Sequence, residues 1–547
     1  MANVAKYEGV VHEGGSALPE VLTSFFESKG GHSLILKGSA GTGKTTLALQ
    51  MVEVMSRTQQ TRYISSRVSD ASLYSQFPWL AAKNRQRDIL NAARAFLNVF
   101  HPRSRKPQVQ ATLPGAMLEA SAVLLAVLNR GRGEESAMAR AELRKLEGQV
   151  ESGEIDDGAE ASSGSGRISG DSITFDIGSD LPEIEEAYDF VEAAHPGKSL
   201  VVFDSIDALA EKYGISQTRL VNTIQKDVVE GGGANVVYVL ETHGPTMLDY
   251  LGDGVLSLSA GEHAGRMVRT MRIEKMRGRP VPHPNLNYSL LGGRIRVFEP
   301  TRFGSAPRRS AGIWEPVPDP DAERVSFGDE SLDRLIGGLA RGSINILEIG
   351  AGVPNEVVSM LSAMLAANFV RQGRGVAHLP ESRGNASSAR DSFCRYMTEA
   401  EFLEGVRVFE MNLVGGGERM GNVLLIEGTD LENDFRWDNI EYNLQETAKP
   451  TLSLMALDML ERIYGPTAMD SMNAHLMSVR LTGSVFVGTT SGGRAADTLS
   501  AASNVHLKLE RTGPNVVIYG EKPYTTLHQI VYEDCAGIPR LKFVPVM

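Results

Sequence analysis

Short apolar runs closed by glycine alternate with longer stretches whose apolar residues recur at helical spacing. In the first half HSLILKG reads as a buried strand, GSAGTGKTT as a glycine turn, LALQMVEVM as a helix and TRYISS as a second strand; SLVVFDS and NVVYVLET supply two more. Strands separated by helical patterns predict parallel α/β construction. The same order then recurs. VSFGDESLDRLIGGLARG leads into the strand SINILEIG, a glycine turn, the helix EVVSMLSAMLAANFV and the strand GVAHLP. SLVVFDSIDALAEKYG and LSLMALDMLERIYG both end in Tyr-Gly, and aligning that pair sets Asp207 against Asp458. The pattern predicts an internal duplication: two tandem α/β domains with mainly parallel central sheets flanked by helices.

Between the halves, EPTRFGSAPRRSAGIWEPVPDPDAE is rich in proline, arginine and serine and has no periodicity, which marks a surface linker at 299–320. It divides the chain into domains spanning 1–298 and 321–547. An insertion at about 81–180 interrupts the first. NRQRDILNAARAFLNVF and the stretch from Ala116 to Leu128 have helical spacing there, while ESGEIDDGAEASSGSGRISGDS has the composition of a flexible tract.

A length of 547 residues suits two or three domains, and 42% hydrophobic with 22% charged residues is ordinary for a soluble globular chain. The net charge of -12 argues against coating nucleic acid or an anionic membrane by bulk attraction. Residues 81–150 are locally basic, with twelve Lys/Arg against six Asp/Glu. Cys394 and Cys535 alone provide neither a disulfide framework nor a four-cysteine zinc site. The start lacks the apolar core of a signal peptide and no run approaches the roughly 20 apolar residues that span a bilayer, so the expectation is a cytoplasmic chain with no membrane partner.

Chemistry concentrates in Gly38-Ser39-Ala40-Gly41-Thr42-Gly43-Lys44-Thr45, which fits G-x-x-x-x-G-K-[ST] between a strand and a helix. Glycines let successive backbone N–H groups curl around a β-phosphate, and the following helix aims its positive end at that anion. Lys44 suits the β- and γ-phosphate oxygens, the Thr45 hydroxyl suits magnesium, and Thr46 lines the loop beside it. The buried run SLVVF delivers Asp204 toward the magnesium shell. The expected cofactors are ATP, or another purine nucleoside triphosphate, and Mg2+.

The two-domain layout, the phosphate loop, VVFDSID and RIEKMRGRP resemble the RecA superfamily, in its KaiC-like branch; the segment Gly328 to Gly342 is similar to the start of a KaiC-like domain. More narrowly, LPEVLTSFFESKGGHSLILKGSAGTGKTTLALQM, YISSRVS and DLPEIEEAYDFVE resemble archaeal proteins of the GvpD type, a group associated with regulating gas-vesicle synthesis. The resemblance implies two RecA-like domains. In KaiC-like rings a K-x-R strand reaches the γ-phosphate of a neighbouring subunit, and Lys275 and Arg277 match it; a solvated basic strand end is the alternative. KaiC-like ATPases also carry paired glutamates after the second strand, to activate water. This chain has Ile64-Ser65-Ser66-Arg67-Val68-Ser69 there. Asp70 and Glu241 are nearby carboxylates, and Glu241 fits either a γ-phosphate sensor or a strand-end charge. Slow hydrolysis is the expectation.

In the second half the aligned turn reads Gly350-Ala351-Gly352-Val353-Pro354-Asn355-Glu356-Val357. Glu356 repels a triphosphate, Val357 cannot ligate magnesium and Pro354 removes a backbone donor. In the Tyr-Gly register Met455 stands opposite Asp204, so this half is expected to have no nucleotide site. Glu381 matches the second of the paired glutamates, but without a phosphate loop beside it reads as a retained surface acid. The leading functional expectation is a regulatory ATPase whose nucleotide state controls an interface with a protein partner or with further copies of itself. The alternatives are a DNA-binding RecA-like motor or recombination accessory using Lys83 to Lys145, and a KaiC-like autokinase. Few aromatics interleave with the basic segment, which weakens the stacking expected of single-strand binding.

Overall fold

The computed structural model describes residues 16–66, 77, 181–300, 314–381, 384–412, 420–444, 450–535 and 537–547. The 81–180 insertion, Arg67 to Asp70 and most of the 299–320 linker lie outside the described residues.

The first half builds one eight-stranded sheet. Its strands are β1 (Ser33–Gly38), β2 (Gln60–Ser65), β3 (Ser199–Asp204), β4 (Asn235–Leu240), β5 (Gly254–His263), β6 (Arg266–Met276), β7 (Asn285–Ser289) and β8 (Arg296–Phe298). They lie in the order β2-β3-β4-β1-β5-β6-β7-β8. The strands from β2 to β5 are parallel and the last three antiparallel. Strands β1, β3 and β4 are buried at every position, as expected of apolar runs covered on both faces. Leu34, Leu36, Val202 and Val237 share one core with Leu47 and Met51 of the helix Lys44–Met55. Ile35, Phe203 and Tyr238 share the other with Leu209, Leu220 and Ile224, from the helices Ile206–Tyr213 and Gln217–Ile224.

In the second half β9 (Arg324–Val325) and β10 (Leu339–Ala340) form a small ribbon. A ten-stranded sheet follows, made of β11 (Ile344–Ile349), β12 (Val376–Leu379), β13 (Val406–Met411), β14 (Val423–Ile426), β15 (Leu452–Ala456), β16 (Val485–Thr490), β17 (Val505–Thr512), β18 (Asn515–Lys522), β19 (His528–Cys535) and β20 (Ile538–Pro545). Its order is β14-β13-β12-β15-β16-β11-β17-β18-β19-β20. The run β12-β15-β16-β11-β17-β18 repeats β2-β3-β4-β1-β5-β6 strand for strand, again parallel and then antiparallel. The duplication inferred from Tyr-Gly is thus present in the topology.

The antiparallel ends of the two sheets pack against each other. Phe298 of the first half shares an apolar cluster with Val517, Tyr519, Leu527, Val544 and Val546 of the second, with Val268 packed beside them. Polar contacts ring it: Asn287 Nδ2 donates to Thr512 Oγ1 at 2.6 Å, Asn515 Nδ2 to Phe298 O at 3.0 Å and Leu290 N to Met547 O at 2.7 Å.

Candidate phosphate-binding site

The loop following β1 turns on three glycines with positive φ: Gly38 at 156°, Gly41 at 76° and Gly43 at 93°. A Cβ on Gly38 would stand 2.4 Å from Leu258 O, so this position needs glycine for space as well as angle. Gly43 opens the helix Lys44–Met55, and among the described residues no side chain caps that helix. Its first N–H groups therefore have no intrahelical acceptor and suit an anion. Lys44 is folded back: Nζ donates to Gly38 O at 2.7 Å and to Ser39 O at 3.0 Å. Ser39, Ala40 and Gly41 are exposed, whereas Thr42, Lys44 and Thr46 are buried.

Asp204, the last residue of β3, is only 9% exposed. Its Oδ2 accepts from Thr45 Oγ1 at 2.8 Å and from Tyr63 Oη at 2.7 Å. Burial pushes the Asp204 carboxyl above the usual carboxylate range; the two hydroxyl hydrogen bonds and the Lys44 charge oppose that, and the Glu241 charge adds to it. Tyr63 is pushed well up by burial and by the charge of Asp204, so it stays a phenol donor. The loop threonine, the lysine and the strand-end aspartate named from sequence thus meet in one place. Together they can hold a phosphate and its magnesium: backbone donors and an ammonium for the anion, a hydroxyl and a carboxylate for the cation.

Four partners of this site were not apparent in sequence. Tyr63 stands one residue beyond Arg62 in β2, and only the pairing of β2 with β3 brings it to Asp204. Ser66 Oγ accepts from Ser205 N at 3.0 Å, fixing the turn after Asp204. Arg269 of β6 donates from Nη1 to Gly41 O at 3.0 Å, while Tyr288 Oη donates to Thr42 O at 2.6 Å. The available signal for Arg269 is parity, since it alternates with Met271 and Ile273 of the core that contains the loop helix.

Lys275, Arg277 and Glu241 are placed differently. Gly38 is level with Leu258 and hence with Met271, whereas Lys275 is level with Val255 and Ile35. Lys275 and Arg277 therefore lie toward the opposite end of the sheet from their own chain's loop, roughly 10 Å or more along the strands. Lys275 Nζ donates to the carbonyls of Asp249, Tyr250 and Gly252 at 3.0, 3.3 and 2.6 Å, and Arg277 pairs with Asp253 at 2.6 Å. Glu241 follows β4; its N–H donates to Asp207 Oδ2 at 2.7 Å, and its charge acts on Asp204.

At the equivalent place in the second half, Pro354 precedes the helix Asn355–Arg371, Glu356 sits in its first turn and Val357 is fully buried. Sheet register refines one correspondence. Asp204 pairs with Val239 and Ala456 with Thr489, so Ala456, and not Met455, is the residue opposite Asp204. The difference arises because Asp204 is followed by the separate cap Ser205, whereas Ala456 both ends its strand and caps its helix. Asp207 and Asp458 do correspond: Asp458 Oδ2 accepts from Ser491 N at 2.8 Å, after β16, as Asp207 does from Glu241 N after β4. Lys37 of β1, between Asp249 and Glu274, is replaced in β11 by Glu348, which meets His506 and Lys508.

Residues 22–98 and 156–274 match the family described as GvpD gas vesicle protein, P-loop domain. The chain is also similar to protein GvpD2 of Halobacterium salinarum, 24% identical across 97% of this chain and 96% of the relative. Protein GvpD1 of the same organism is 22% identical across 98% of this chain and 97% of its own length. Among the described residues no helix is long and apolar enough to cross a membrane.

Proposed function

We propose that this chain, a P-loop protein of the GvpD type, binds ATP or another purine nucleoside triphosphate with magnesium at Gly38 to Thr46, hydrolyses it slowly, and uses nucleotide state to control an interface with a protein partner. The relatives' family is described as a gas vesicle protein, and regulation tied to gas vesicles is the process proposed for this chain. The observation that carries the reading is the Thr45–Asp204 hydrogen bond at 2.8 Å beside an uncapped helix N-terminus and Lys44.

Lys44 would exchange the carbonyls of Gly38 and Ser39 for phosphate oxygens, Thr45 and Asp204 would hold the magnesium, and the loop N–H groups would face the phosphate. The bound ion would neutralise charge on the phosphoryl oxygens. Slow turnover is supported by the end of β2, where Ser65 and Ser66 stand in place of carboxylates and Ser66 is bonded to the Asp204–Ser205 turn. A switch holding its nucleotide fits this site better than a rapid motor.

The test is nucleotide binding and phosphate release by wild type and Lys44→Ala. One nucleotide per chain in the wild type and none in the variant is expected. A second equivalent bound, or hydrolysis surviving the substitution, would overturn the assignment of a single site.

A further inference from the structure

Strand β6 presents its two faces to two different places. Arg269 lies on the face shared with Met271 and Ile273 and reaches the carbonyl of Gly41; it also bonds Tyr288, whose hydroxyl holds Thr42 O. Arg269 Nε is buried without a hydrogen-bond partner among the described residues. Arg266, three residues earlier, is on the other face and only 4% exposed. Its Nε donates to Thr525 O and its Nη2 to Gly520 O, both at 2.7 Å, with Glu521 at 3.5 Å from Nη1. The guanidinium lies between the rings of Tyr519 and Tyr524, 4.2 and 4.1 Å from their centroids, and Tyr524 Oη donates to Gly265 O at 2.7 Å. His263, at the end of β5, meets Glu510 at 2.5 Å.

A guanidinium buried to this degree needs its donors satisfied, and here the second half supplies most of the acceptors. The neighbouring arginine on the same strand fixes a carbonyl of the phosphate loop. No flexible segment separates these two attachments.

We infer that β6 couples the phosphate loop to the segment 519–527 of the second half, so that nucleotide occupancy and the docking of that segment control each other, with Arg269 as the positioning residue. This inference rests on the phosphate loop binding nucleotide. Lys44 leaves the loop carbonyls when phosphate arrives, the loop backbone re-forms, and Arg269 follows Gly41. The displacement moves β6 and reaches Arg266. Linkage makes the effect reciprocal: loosening the 519–527 contact changes nucleotide affinity by the same factor by which nucleotide changes that contact. The second half would then act as a reader of nucleotide bound elsewhere.

The experiment uses the full chain with a slowly hydrolysed ATP analogue and magnesium, comparing wild type, Arg269→Gln and Tyr524→Ala. Tyr524 is 64% exposed, so its truncation leaves the core intact. Wild type is expected to bind the analogue and to change hydrogen exchange across 519–527. Tyr524→Ala is expected to shift its affinity by about fivefold, a coupling of about 1 kcal/mol. Arg269→Gln, measured at saturating analogue so that occupancy matches wild type, is expected to lose the exchange response. Wild-type binding with no response at 519–527, or an unchanged affinity in Tyr524→Ala, overturns the coupling alone. Absence of binding by wild type overturns both the coupling and the proposed function.

Discussion

Asp204→Asn separates the needs of the fold from those of the ligand. The Asp204 carboxylate is 9% exposed, and its two hydroxyl hydrogen bonds, 2.7 Å from Tyr63 and 2.8 Å from Thr45, fall on the same oxygen. Hydrogen bonds to a charged acceptor contribute roughly 1.5–3 kcal/mol each, against about 1 kcal/mol for neutral ones. Burial still outweighs them, because the carboxyl is pushed up and not down. Asparagine keeps an oxygen for both hydroxyls and removes the buried charge. The substituted protein without ligand should therefore melt no lower than wild type, while the magnesium-dependent part of ATP affinity falls at least about tenfold, or about 1.4 kcal/mol. The pH dependence has a definite sign. A native pKa raised above the unfolded value means that the native state holds the proton more tightly. Asp204 thus favours the fold most at low pH, and that contribution is lost as pH rises from the usual carboxylate range through the raised value. Magnesium competes with the same proton, so magnesium-dependent binding should strengthen over that interval in wild type and stay flat in the variant. Calorimetric titration with and without magnesium, beside thermal melts, reads both. A variant that melts well below wild type yet keeps its magnesium dependence would refute the reasoning.

Gly38→Ala should abolish nucleotide binding and destabilise the first half by about 1–3 kcal/mol, because the new Cβ meets Leu258 O at 2.4 Å; unchanged binding in titration would contradict the close packing of loop and β5. Acid should loosen the second half, where burial pushes His378 down to about 4 and His475 to about 3. Their unfolded forms protonate near 6.5, so stability is lost as pH falls through that value, by up to about 3 kcal/mol for His378. Asp333, pushed up to about 6 by burial, acts in the opposite sense. Denaturant midpoints at pH 7 and pH 5 should fall, with the change reduced in His475→Gln; a rise at pH 5 would count against neutral buried histidines. The regulatory reading expects no retention on DNA even at about 50 mM salt, whereas retention that weakens steeply with salt would favour the DNA-acting alternative.

The parallel core of the first half was legible in the sequence, because a strand covered on both faces must be apolar throughout and HSLILKG, SLVVFDS and NVVYVLET have no other economical reading. The phosphate loop was legible because its glycines answer to backbone angles. What escaped were long-range relations. Tyr63 looks like any strand tyrosine until β2 pairs with β3. In RMVRTMRIEKMRGRP the eye goes to Lys275 and Arg277, yet the β5–β6 register brings Arg269 to the loop and Arg266 to the second half. The Tyr-Gly alignment was carried through a helix of equal length and missed the single residue by which the two strand ends differ, hence Met455 for Ala456.

The matched strand order gives the molecule an internal control. Asp207 and Asp458 do the same work in both halves, each tying down the chain after the strand next to the loop, so that aspartate belongs to the scaffold. Asp204 has only Ala456 as its counterpart and the helix opening Gly43-Lys44-Thr45 has only Pro354-Asn355-Glu356, although the surrounding sheet is intact. Grafting residues from one half onto the other would therefore sort side chains that shape the fold from those that serve phosphate, with both readings taken on the same polypeptide in the same tube.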